Sequence, residues 1–432
     1  MTATRTSNGR IGMLARAVVG AVLVLWLGKL IVTSALVQIA LNEQQPELLG
    51  KLGVESPRLL AEMAGAAIGN EDYARAGELA RKALVEAPGE PVAIRALGLS
   101  EDAIGDPQRA AAIMALSAKW GWRDRPTQAW LYQRLVINED YATAAMHGDA
   151  ILRQNPTFEP MLKAFAYQAT TPGGRRALAD LLAARPAWRK NYFAALVELE
   201  PQLVVSADAL IRELATTAAP PTREEVIPFM GRTVQLRQAN RGRALWFALF
   251  APGQSPSPLY DGGFEAMASQ RSLNGQDRVF EWATAYSANG YAETVQRRGA
   301  QGSALQVSVS GVGNQRLAWQ TLALQPGRYE VSGRYSVDDA EALRGVDLRV
   351  ACYVGNRELG KLDSRAGVEP DRWHVFRFVV DVPAGSDGCT TQFIGFEGKA
   401  SSPPREQLIW FDDLAIARQA APTPAPPISI RR

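Results

Sequence analysis

The order of apolar and polar positions divides the chain into three textures. Residues 17–41, AVVGAVLVLWLGKLIVTSALVQIAL, are apolar almost without interruption. From residue 57 to about 250, apolar residues fall at helical spacing, in stretches of about a dozen split by Gly, Asp, Asn and Pro. Past residue 259 they alternate instead, as in Leu305, Val307 and Val309, in Tyr329, Val331, Tyr335 and Val337, in Leu348, Val350, Cys352 and Val354, and in Phe376, Phe378, Val380 and Val382. A period of two belongs to strands, and turn residues separate these runs as in an all-β sandwich. Eight to ten strands are expected between 259 and 419.

The first texture sets the compartment. A hydrocarbon core needs about 20 apolar residues in a helix, so 17–41 is long enough to span. Arg5, Arg10 and Arg16 precede it, and the first acids, Glu43 and Glu47, follow it. The positive-inside rule therefore keeps residues 1–16 in the cytoplasm and sends the rest across the membrane. Lys29 interrupts the run. The alternative is a cleaved signal peptide with Thr33-Ser34-Ala35 as its cleavage site. Both readings export the bulk of the chain. The expected location is a bacterial inner membrane, crossed once, with the remainder in the periplasm.

Within the helical texture one phrase recurs. Asp72-Tyr73-Ala74-Arg75-Ala76 is followed by Asp106-Pro107-Gln108-Arg109-Ala110 and then by Asp140-Tyr141-Ala142-Thr143-Ala144. Pro88 and Pro156 close the first and third copies, with Trp122 at that place in the second. This stretch resembles tetratricopeptide repeats, whose step is about 34 residues. The large residues expected early in each first helix are mostly missing. Beyond Pro156 further helices are expected near 158–169, 173–185, 187–198, 205–217, 222–239 and 241–250. The resemblance implies one stacked helical domain over 42–250 that binds a protein partner, or else acts as a spacer.

Pro252, Pro256 and Pro258 make 251–258 a linker. After it, Asp261-Gly262-Gly263-Phe264-Glu265, Trp282, Leu324-Gln325-Pro326-Gly327-Arg328-Tyr329, Trp373, Val382-Pro383 and Trp410-Phe411-Asp412-Asp413-Leu414 occur in an order that resembles galactose-binding-like, jelly-roll carbohydrate-binding modules. That resemblance implies a structural calcium shared by Glu265 and Asp412. The alternative is that both carboxylates accept hydrogen bonds from turns. It also implies glycan binding on aromatic platforms. Tyr286 and Tyr291, flanking the turn at Asn289-Gly290, are the expected exposed pair, with Trp282 a further candidate. Cys352 lies on one expected strand, and Cys389 starts another after the turn Pro383-Ala384-Gly385-Ser386-Asp387-Gly388. If these strands are neighbours, an exported chain bridges the two cysteines; otherwise they are separate thiols. Residues 420–432 form a proline-rich tail.

Composition removes several function classes. Net charge is +3, and no basic block stands out, which argues against a nucleic-acid partner. Two histidines and two cysteines cannot build a Cys/His metal cage. No nucleophile elbow, phosphate loop or dinucleotide fingerprint occurs. The expectation is therefore a multidomain, non-enzymatic protein: a transmembrane helix, an all-α repeat domain and an all-β jelly-roll sandwich. The arrangement resembles membrane-anchored accessory proteins of bacterial exopolysaccharide systems, which implies a protein partner in that machinery and a glycan. The rivals are a pure envelope scaffold and a carbohydrate-active hydrolase.

Overall fold

The computed structural model describes Val32 and residues 56–419, apart from 120, 255–256, 270–277, 288, 311–314, 364–367, 385–388 and 400–405. The expected anchor, save Val32, lies outside the described residues, as do the cytoplasmic N-terminus and the proline-rich tail. Among the described residues no helix is long and apolar enough to cross a membrane. The chain forms two compact units, Met1–Asn155 and Pro156–Arg432. The division falls inside the stretch 42–250 expected as one helical domain, and not at the proline-rich seam.

In the first unit the helices are α1 (Pro57–Gly69), α2 (Tyr73–Glu86), α3 (Pro91–Ala103), α4 (Pro107–Ala118), α5 (Arg125–Ile137) and α6 (Tyr141–Gln154). The recurring aspartate is a helix cap. Asp72, Asp106 and Asp140 accept from the backbone N–H of Arg75, Arg109 and Thr143 at 3.2, 3.0 and 3.2 Å. Each satisfies one of the donors orphaned at a helix start. The residue before each cap is left-handed: Glu71 at φ 60°, Gly105 at 96° and Glu139 at 60°. The chain therefore reverses in the same way three times. Successive helices pack on one another, and α1 also packs on α3. Their contacts are made by small residues: a Cβ added to Gly98 would lie 2.6 Å from Met114 Sδ, so Met114 would have to shift to admit it.

The second unit opens with α7 (Glu159–Gln168), α8 (Pro172–Ala183), α9 (Arg189–Ala195), α10 (Val204–Ala215), α11 (Arg223–Gln235) and α12 (Ala239–Phe250). These match the expected helices within a few residues, except that α9 is short and passes into a 3₁₀ turn at Leu196–Glu198. Thr222 and Glu225 form a capping box at the start of α11. Glu225 also takes a two-pronged ion pair from the buried Arg189, both contacts at 2.8 Å.

The seam after α12 is tied down on both sides. Arg243 donates to the Ser257 carbonyl, and Arg223 pairs with the buried Glu281. Burial pushes the Arg243 guanidinium down to about 10. Trp246 packs edge-on against Tyr260 at 4.6 Å. Tyr260 in turn exchanges two backbone hydrogen bonds with the Gln320 amide, at 2.9 and 2.8 Å. The helices and the first residues of the sandwich are thus one packed body.

The sandwich has two antiparallel sheets. One orders β1 (Ala283–Thr284), β5 (Gln315–Leu322), β10 (Gln392–Gly398), β7 (Val346–Cys352) and β8 (Glu358–Lys361). The other orders β2 (Tyr286–Ser287), β3 (Gly290–Gln296), β4 (Ser303–Val309), β11 (Gln407–Arg418), β6 (Gly327–Val337) and β9 (His374–Val382). Each apolar run picked out by alternation falls on one strand, although β7 stops at Cys352 and Val354 lies in the turn beyond it. Val307, Val331, Val350, Val380 and Ile394 meet between the sheets with no exposed surface. Cys352 and Cys389 form a disulfide. Cys389 sits three residues before β10, whose first residue Gln392 lies opposite Cys352.

Candidate functional site

The hairpin β2–β3 builds the most exposed aromatic feature of the sandwich. Gly290, at φ 156°, is where the backbone turns close to its neighbour: a Cβ there would lie 2.5 Å from the Ser308 carbonyl oxygen. The tight turn places Tyr286 directly opposite Tyr291 across the ladder. Their rings stack with centroids 5.5 Å apart and planes 27° apart. Tyr286 is 84% exposed, whereas Tyr291 is half-buried. Large aromatic surface left in water on a folded domain marks a binding surface more often than a defect.

Polar groups continue from this pair across the outer face of the six-stranded sheet. Alternation along β3 turns Ala292 and Thr294 to the core, and Tyr291 and Glu293 outward. Register then sets Tyr291 beside Ser308, and puts Gln306 between Glu293 and Trp410. Ser308 donates to Glu406 at 2.5 Å, and Trp410 donates its indole N–H to Gln306 at 3.0 Å. Burial raises the Tyr291 phenol above its usual range, with the charges of Glu406 and Glu293 adding to the effect. The face of Trp410 itself is covered, because the Arg297 guanidinium lies 3.6 Å from the ring centroid. Arg297 is held there by Asp371 at 2.7 Å.

Trp282, expected as a third platform, is a core residue. It is 1% exposed, packs on Phe264 and Phe396 at 5.2 and 5.7 Å, and donates its N–H to the Asp261 carbonyl at 2.9 Å. No glycan reaches it.

The carboxylates expected to share a calcium meet protein donors instead. Asp412 is fully buried and faces Arg334 across the β11–β6 ladder, with 2.5 Å between them. Its oxygens also accept from the backbone N–H of Gln301 at 3.2 Å and of Asp413 at 2.8 Å. Glu265 begins the short helix α13 (Glu265–Ser269) and accepts from the Ser303 N–H at 2.6 Å. Calcium takes about six to eight oxygens. Here backbone N–H groups and Arg334 bind the two carboxylates, and among the described residues no three His, Cys, Asp or Glu side chains gather as a metal site. The positive charge beside Asp412 is Arg334.

Two features escaped the sequence. Asp261 takes the backbone N–H groups of Ala266 and Met267 on its two oxygens, at 3.0 and 2.8 Å, and so caps α13. Burial raises its carboxyl above the usual range, opposed by those hydrogen bonds. Next to it, Gly262 exchanges backbone contact with Leu414 on β11: the Leu414 N–H donates to the Gly262 carbonyl at 2.9 Å. A Cβ on Gly262 would lie 1.8 Å from the Leu414 carbonyl, which explains the glycine in the Asp261-Gly262-Gly263-Phe264-Glu265 phrase. The other is Arg334, whose guanidinium also stacks on Trp373 at 4.8 Å. Nothing in a lone arginine mid-strand signals a buried aspartate 78 residues away.

No family model matches the chain, and no curated protein matches it. Among solved structures it is similar to the cyclase Fisc from Fischerella sp. TAU, at 12% identity over 38% of this chain and 98% of that one, with a TM-score of 0.29. It is also similar to the carbohydrate-binding module TmCBM61 in complex with β-1,4-galactotriose, at 18% identity over 38% of this chain and 100% of that one, with a TM-score of 0.25. A third is the module CBM6cm-2 from Cellvibrio mixtus lichenase 5A in complex with cellotriose, at 16% identity over 33% and 99%, with a TM-score of 0.21.

Proposed function

We propose that this chain is a non-enzymatic glycan-binding protein of the bacterial envelope. In this reading residues 17–41 anchor it in the inner membrane, and its bulk stands in the periplasm as an accessory to exopolysaccharide assembly or export. The sandwich holds the glycan on the outer face of the six-stranded sheet. The observation that carries the reading is the stacked pair Tyr286 and Tyr291, with Tyr286 facing solvent. Pyranose rings present C–H faces that pack on such rings, while Glu293 and Gln306 stand beside the pair to read hydroxyls. The helices dock a protein of the same machinery.

Calorimetric titration of the full chain with bacterial exopolysaccharides tests this. Binding is expected, with a loss of at least about tenfold in the Tyr286→Ala, Tyr291→Ala double variant, or about 1.4 kcal/mol. Absence of binding to every polysaccharide, or an unchanged affinity in the variant, overturns it. A C-terminal reporter found in the cytosol overturns the export.

A second reading, a pure protein scaffold, draws on the covered face of Trp410: Arg297 and Asp371 close the platform that lies nearest the middle of the sheet. It predicts full association with envelope partners in the double tyrosine variant.

A further inference from the structure

A cleft of about 600 Å³ opens in the second unit among α7, α9 and the turn after α9. Its position is outside the three recurring phrases, and neither the sandwich nor the disulfide takes part in it. The size is within the range of about 300–1,000 Å³ found for specific binding pockets.

The cleft has an apolar floor and a charged rim. On α7, Leu162 and Ala166 are one turn apart and lie on one face. Tyr192, Leu196 and Leu199 complete the floor from the other wall, all buried. On the rim, Lys163 sits 3.0 Å from Glu200, and the exposed Tyr167 donates to the same carboxylate at 2.7 Å. Those contacts, the tyrosine's first and the lysine's second, lower the Glu200 carboxyl below its usual range. Glu200 therefore stays ionised and neutralises the one lysine of the cleft. Glu159 on the α7 wall and Glu198 on the opposite wall are exposed and enter no ion pair among the described residues. The net result is an apolar trough with an exposed carboxylate on each side.

We propose that this cleft docks a short peptide segment of a partner protein in which an apolar side chain is flanked by arginine or lysine. The apolar residue seats between Leu162 and Leu199, and the flanking cations meet Glu159 and Glu198. Charge complementarity selects the occupant: an acidic segment would bring like charges to both walls, and a neutral one would gain nothing from either exposed carboxylate. The inference rests on the reading that the helices dock a protein, and it names the chemistry of that partner.

The test is fluorescence anisotropy with the full chain and three labelled hexapeptides: alternating Leu and Arg, alternating Leu and Glu, and alternating Leu and Ser. The Leu-Arg peptide is expected to bind at least tenfold more tightly than the others, and to weaken as salt rises. The Glu159→Gln, Glu198→Gln double variant, which changes only exposed side chains, is expected to lose that preference. Ala195→Trp, which fills the cleft, is expected to abolish binding, with circular dichroism confirming that the helices remain. Equal or better binding of the Leu-Glu or Leu-Ser peptide overturns the charge assignment and leaves protein docking standing. No binding by any of the three overturns both. Undiminished Leu-Arg binding in the variants shows that the peptide sits elsewhere, and overturns the cleft.

Discussion

In the first unit the helix interfaces are filled by alanine, with Ala61, Ala64, Ala80, Ala83, Ala93 and Ala96 all at most 1% exposed. The sandwich interior is filled by Phe264, Trp282, Phe396 and Phe411, equally inaccessible. The difference follows from geometry. Two helices can approach until their backbones nearly touch, so removing side chain brings them together. Two sheets stay about 10 Å apart, so their interior has to be filled with large rings. The helical unit is consequently held by many small local contacts and repeated caps, whereas the sandwich depends on a few large residues and on contacts distant in sequence. Gly262 with Leu414, and Arg334 with Asp412, are two such contacts.

Substitutions can break or sharpen this contrast. The largest effect is expected for Trp282→Ala, which should destabilise the sandwich by about 3–5 kcal/mol in denaturant unfolding. A loss well under about 1 kcal/mol would mean that the ring is not the pillar described. Cys352→Ser comes next, at about 2–4 kcal/mol, read as a lowered unfolding temperature that reducing agent reproduces in the parent chain. The helical unit has no such covalent tie, and its transition should not move. Asp72→Ala, Asp106→Ala and Asp140→Ala should each cost about 1 kcal/mol, and nearly the same amount, because all three make the same cap. Unequal losses would show that the recurring phrase is not structurally equivalent in its three copies.

The smallest effect is a dependence on pH in the first unit. His147 is 9% exposed and contacts the Gln128 amide at 2.6 Å. Burial lowers the imidazole below its usual value, against a weaker opposing pull from Asp140. The unfolded chain therefore binds the proton first as the pH drops beneath about 6.5. Stability of these helices should decline through that window. His147→Gln should flatten the decline, as followed by helical ellipticity against temperature at pH 7 and pH 5.

The contrast also explains what could be read in advance. Capping and alternation are local, so the three aspartates and the strands β4, β6, β7 and β9 were visible from a few neighbouring residues. The exposure of Tyr286 was also visible, because Asn289-Gly290 marks a turn, but the register that sets Ser287 opposite Gly290 and Tyr286 opposite Tyr291 was not. Trp282 was misread because aromatic residues serve a core and a sugar platform alike, and only the packing of Phe264 and Phe396 decides between them. The calcium expectation rested on two carboxylates alone. It could not register that Arg334 and three backbone N–H groups converge on them. The end of the first unit at Asn155 is likewise a property of packing, since helical spacing runs through Pro156 unchanged.

The bound seam bears on how force would pass through the second unit. Arg243 on Ser257 and Trp246 against Tyr260 join the described residues of the seam to α12. A pull on the sandwich would reach α12 as torque through those two contacts.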